Sequence, residues 1–127
     1  MAGGPIRWVF FAYVALIATL THWPALQIPK MGLTRSDLAV HLVVFGTWAF
    51  LCIRCAWFGP PLSTRNIVRS AACAVAYAGL DEATQAIPGL NRYAAWDDFA
   101  ANTMGIMLGV AAACAAGALD PPEPRDR

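Results

Sequence analysis

The side chains with chemistry to offer lie in three short groups. Asp37 and His41 stand four positions apart, Glu82 and Gln85 three apart, and Asp98 and Asn102 four apart, with Arg92 between the last two groups. On a helix, residues three or four apart share a face. A carboxylate beside an imidazole orients the ring and raises its basicity, so Asp37 and His41 read as an acid–base pair. Glu82 and Asp98 would position a water or, together with His41, bind a divalent cation. Arg92 presents a planar fork that fits a phosphate or carboxylate, and Gln85 and Asn102 add polar contacts for a substrate. The set holds no obvious nucleophile; water, a carboxylate or His41 itself would have to serve.

Each group also has a plainer role. Asp37 would sit in the first turn of its helix, where the dipole favours a carboxylate, and Asp97 would serve as a helix N-cap. Glu82 has no such excuse: it falls near a helix C-terminus, where the dipole opposes it, so it needs a partner, and Arg92 is the nearest in sequence. Asp81 is expected at the membrane interface or in water, and His22 at the interface beside Trp23. Asn102 doubles as a hydrogen-bonding link between helices. Cys52 and Cys55 form a "CIRC" pair inside a helix; with Cys73 and Cys114 isolated elsewhere, the four read as small buried hydrophobes and not as a redox or zinc motif.

The elements that must carry these groups are apolar. The chain has 127 residues, enough for one domain spanning 1–127, of which 58% are hydrophobic and 13% charged. A soluble domain is about a quarter charged, so this composition is that of a membrane protein. Four segments reach the roughly 20 apolar residues of a spanning helix: 8–28, 37–58, 66–87 and 98–119. Pro29 and Gly32, Gly59-Pro60-Pro61 and Pro88-Gly89 break them. The first segment lacks a small-residue cleavage site and reads as a retained anchor. The end, "DPPEPRDR", reads as a disordered tail over 120–127.

Basic residues set the orientation. Arg7, Arg54, Arg65, Arg69, Arg125 and Arg127 fall on one side, and Lys30, Arg35 and Arg92 on the other. The expected fold is therefore an all-α, four-helix transmembrane bundle with both termini cytoplasmic. Trp8 and Trp57 then mark the inner interface, Trp23 and Trp96 the outer one. A net charge of +1 argues against a nucleic-acid partner. In this topology every group above lies at the outer ends of helices two, three and four, and forms an outward-opening polar cavity. Gly105 and Gly109 continue the stripe of Asp98 and Asn102 and let a neighbouring helix approach closely.

Taken in order, Asp37-x3-His41, Glu82-x2-Gln85, a turn with Pro88 leading to Arg92, and Asp98-x3-Asn102-x2-Gly105-x3-Gly109 resemble the VanZ-like family of small bacterial membrane proteins. The resemblance covers about 37–109; the first helix matches only in hydrophobicity. Asn91 stands where the family often has glycine, and the doubled acid Asp97-Asp98 is resolved toward Asp98 by its spacing to Arg92 and Asn102. The resemblance implies a four-helix, multi-pass protein of the bacterial cytoplasmic membrane, with a namesake associated with resistance to the glycopeptide teicoplanin. It supplies no reaction.

Two function classes fit these residues. One is a site that binds, and in its stronger form modifies, the head group of an envelope lipid or cell-wall precursor, or a glycopeptide. The other is a non-catalytic membrane scaffold whose polar network is structural or docks a membrane protein partner. A transporter ranks last, because the inner halves of the spans are apolar and no internal repeat is present.

Overall fold

The computed structural model describes residues 4–23, 35–85, 87 and 96–119. Four helices account for almost all of them: α1 (Gly4–Thr21), α2 (Ser36–Arg54), α3 (Thr64–Gln85) and α4 (Trp96–Ala118). The helices start and stop within a few residues of the expected segments, except that α1 begins and ends earlier than 8–28. Arg92, the Pro88 turn, Lys30 and the tail at 120–127 lie outside the described residues.

Contacts between helix ends fix the topology. The N-terminus of α1 meets the C-terminus of α2, where the Arg7 Nε donates to the Cys55 carbonyl at 3.2 Å. The C-terminus of α1 meets that of α3 through Thr21 and Asp81. The N-terminal parts of α2 and α4 meet through His41 and Asn102. The bundle is therefore up-down-up-down. Trp8 and Trp57 share one end, joined through Phe11, and Trp23 and Trp96 belong to the other.

Three helices, α1, α2 and α4, are long and apolar enough to cross a membrane. The fourth expected span, α3, has the length: its 22 residues extend about 33 Å at the α-helical rise. It falls short in apolarity because it carries Arg65, Arg69, Asp81 and Glu82. Its buried face explains this. Asn66, Ser70, Ala74, Ala78, Glu82 and Gln85 recur at steps of three and four and point into the bundle. Val68, Val75 and Leu80 point out. Polar groups thus sit inside and aliphatic ones outside, as a lipid surround demands.

The core is aromatic near its middle and has no space at one seam. Phe10 of α1 meets Trp48 edge-on at 5.0 Å, and Trp48 stacks on Tyr77 of α3 at 5.5 Å. The Tyr13 hydroxyl donates to the Val44 carbonyl at 2.9 Å and ties α1 to α2. Between α2 and α4 the backbones touch. A Cβ on Gly105 would run into the Leu42 carbonyl, one on Gly109 into the Gly46 carbonyl, and one on Gly46 would come within 2.9 Å of the Gly105 oxygen. The two predicted glycines therefore do face a neighbouring helix, and Gly46 is their unforeseen counterpart on α2.

At the opposite end, the α2–α3 connection is held by one buried amide. Asn66 Nδ2 donates to the Ile53 and Pro61 carbonyls, each at 2.9 Å, and its Oδ1 accepts from the Phe58 N–H at 3.2 Å. Ser63 caps α3 by accepting from the Asn66 N–H at 3.3 Å. Cys52 and Cys55 are buried and free, as expected; Cys73 and Cys114, expected to be buried, face outward.

Candidate functional site

His41 lies between the other two helices of its end. Its Nδ1 is 3.0 Å from Asn102 Oδ1 and 3.8 Å from Glu82 Oε1; its Nε2 is 3.8 Å from Asp98 Oδ2. Asn102 Nδ2 donates to Glu82 Oε1 at 3.1 Å. The protonation pattern follows from these partners. A carboxylate only accepts, so the Asn102 NH2 must face Glu82 and its carbonyl must face His41. Nδ1 then carries a hydrogen toward Asn102, and Nε2 faces Asp98.

Three helices build this arrangement. His41 sits in the second turn of α2, and Asp98 and Asn102 share a face of α4, with Asp98 in the first turn, where the dipole stabilises a carboxylate. Glu82 sits in the last turn of α3, where the dipole opposes it, and receives the Asn102 amide instead. The side chains of His41 and Glu82 are 9% and 8% accessible and that of Asp98 is 18%, so the cluster is approached from the Asp98 side. One ligand atom each from His41, Glu82 and Asp98 lies within 4.8 Å of the others, which makes the trio a candidate cation site.

A family model described as VanZ/LLP1 matches residues 8–117. The chain belongs to the VanZ-like family. No curated protein and no solved structure matches it.

Asp37 occupies a different place in this VanZ-like chain from the one its spacing suggests. Instead of orienting His41, it meets Arg35 at 3.1 Å, and Arg35 also reaches Asp97 at 2.7 Å. The two carboxylates hold the Arg35 guanidinium above its ordinary pKa. The reason is reach. The first turn of α2 is at the open end, where an arginine two positions earlier is nearer than a ring one turn deeper. Asp97 accordingly bridges α4 to Arg35 inside the first turn and is not the N-cap; Trp96 precedes it in the helix. Asn102, and not Asp37, is the group that orients the His41 ring.

A second polar cluster lies beside the first. Asp81, expected at the interface or in water, is buried: its Oδ1 accepts from Thr21 Oγ1 at 2.7 Å and its Oδ2 from Gln85 Nε2 at 2.9 Å. His22, expected to sit at the interface, turns toward α3, with Nε2 2.8 Å from Thr84 Oγ1 and Nδ1 4.0 Å from Asp81 Oδ1. Gln85 thus serves Asp81. Asp81 and Glu82, adjacent in sequence, point to α1 and to α2–α4 respectively. The signal in the sequence was the spacing of Asp81, Thr84 and Gln85, three and four positions apart, opposite a Thr21-His22 pair at the end of α1.

An open apolar groove of about 280 Å³ lies along the α2–α4 seam, lined by residues that include Leu42, Gly46, Phe50 and Leu108 and by none of the polar cluster.

Proposed function

We propose that this VanZ-like membrane protein lies in the bacterial cytoplasmic membrane with its polar end outward. There it binds the phosphate-bearing head group of an envelope lipid or cell-wall precursor. The observation that carries the reading is the convergence of His41, Glu82, Asp98 and Asn102 from three helices at one depth, with the least buried member, Asp98, at the open side. Ionisable groups inside a membrane protein are costly and by default mark a functional site. Arg35 stands at the same mouth, and Arg92, in the connection between α3 and α4, supplies the planar fork for a phosphate.

The stronger form of the reading adds chemistry at the head group. His41 Nε2, with its ring fixed through Nδ1, is the group able to take or give a proton. The link to teicoplanin resistance would follow if the recognised head group were one the antibiotic also meets.

Native mass spectrometry of the full chain released from lipid nanodiscs tests the binding. The wild type should retain phosphate-bearing lipid, and His41→Ala and Arg92→Gln should each lose it. Equal retention by all three would leave the polar cluster as the structural network of a scaffold. Teicoplanin susceptibility of cells expressing the same variants tests the resistance link separately.

A further inference from the structure

Of the polar features of the bundle, the His41 cluster leaves a buried ring nitrogen facing a carboxylate at a distance that no direct hydrogen bond spans. Asn102 Oδ1 engages Nδ1, which fixes the orientation of the ring. Nε2 makes no hydrogen bond among the described residues, and the ring is more than nine-tenths buried. It faces Asp98 Oδ2 at 3.8 Å, too far for a hydrogen bond. Two ligands of one ion, each about 2.1 Å from it, stand 3.8 Å apart when they subtend about 130°. The distance that is wrong for a direct bond is right for a shared ion.

We propose that His41 Nε2, Asp98 and Glu82 bind one divalent first-row transition ion, with zinc as the probe of choice. This deepens the head-group reading, on which its biological use rests, since open positions on the ion would meet the phosphate. An imidazole nitrogen with two carboxylates suits zinc and its neighbours better than calcium or magnesium, which take oxygen sets. The ligands' two formal negative charges match the charge of the ion. One ligand atom from each of the three residues lies within 4.8 Å of the others, close to the span of two metal–ligand bonds, so small side-chain movements bring them onto one ion. Asn102 is a positioning residue: it holds the imidazole by its other nitrogen, as a carbonyl or carboxylate does behind most metal-bound histidines.

Calorimetric titration of the metal-free full chain in detergent with zinc chloride, without added lipid, tests the proposal. One ion per chain is expected. His41→Ala and Asp98→Asn should abolish measurable binding, Asn102→Leu should weaken it about 10–100-fold, and His22→Ala should leave it unchanged. X-ray absorption of the zinc-loaded wild type keeps the test decisive if a variant fails to fold. A first shell of one imidazole nitrogen and oxygens supports the site, and sulfur neighbours at about 2.3 Å would move the ion to cysteine and overturn it. No binding by the wild type, or full binding by His41→Ala, also overturns it. Lipid retention that depends on His41 but not on zinc would sink the metal site and leave the head-group reading standing.

Discussion

Thr21 Oγ1 donates a 2.7 Å hydrogen bond to Asp81 Oδ1, across 60 positions of sequence. This contact ties the end of α1, otherwise mostly exposed, to the polar end of the bundle. Asp81 is 3% accessible and sits near the C-terminus of its helix, where the dipole disfavours it, so its stability depends on side-chain donors. Thr21→Val keeps the shape and removes one donor. The expected loss is about 1–3 kcal/mol, the cost of a buried polar group deprived of a partner. Gln85→Leu should cost a similar amount and combine non-additively with it, because both donors serve one carboxylate. Thermal unfolding in detergent reads both; two independent, additive losses would separate the residues.

The α2–α4 seam should tolerate no added carbon. Gly105→Ala and Gly109→Ala each drive a Cβ into a backbone carbonyl of α2, which has no rotamer by which to yield. Each should destabilise by at least about 1–3 kcal/mol, as overpacking does. Gly79 is the control, since a Cβ there would meet Phe99 at 3.8 Å, an ordinary contact. Gly79→Ala should be neutral or stabilise by up to about 1 kcal/mol through helix propensity. Equal melting points for the three variants would mean that α2 and α4 are not in backbone contact.

How far the sequence reveals such a site depends on the range of the interaction. Apolar segment lengths and their proline–glycine breaks mark the four helices because these are local properties. The stripe Asp98, Asn102, Gly105 and Gly109 is legible for the same reason, as a helical period within one segment. Depth is legible too: once the helices alternate, His41, Glu82 and Asn102 must share an end. Rotation of one helix against another is not. The i,i+4 spacing places Asp37 on the face of His41 but does not reveal that Arg35 is closer to the carboxylate. Asp81 and Glu82 are equivalent on composition, and only the packing of α1 against α3 assigns one to Thr21 and the other to Asn102. Gly46 escapes because one glycine in α2 has no stripe to announce it; its role appears only against the Gly105 and Gly109 backbones.

Asn66 predicts a separation of stability from function. Its amide satisfies two carbonyls and one N–H of the α2–α3 connection, at the end of the bundle opposite His41. Asn66→Leu fills the space but leaves all three groups without that partner, so the melting temperature should fall by an amount corresponding to about 1–3 kcal/mol or more. At a temperature where the variant is still folded, zinc affinity and lipid retention should match the wild type. Loss of either without loss of fold would mean that the two ends are coupled.

The orientation proposed for the bundle rests on charge and is open to direct measurement. Arg7, Arg54, Arg65 and Arg69 gather toward the end where α1 begins and α2 finishes; Arg35 stands at the other, paired with Asp37 and Asp97. Basic residues are retained in the cytoplasm, so the His41 end should face outward. In a background lacking Cys52, Cys55, Cys73 and Cys114, Trp96→Cys should react with a membrane-impermeant maleimide added to intact cells, because residue 96 is 87% accessible. Arg65→Cys, exposed at the other end, should react only after the cells are opened. The reverse pattern would place the His41 cluster at the cytoplasmic surface. It would rule out recognition of any head group presented on the outer leaflet, while leaving the metal site unaffected.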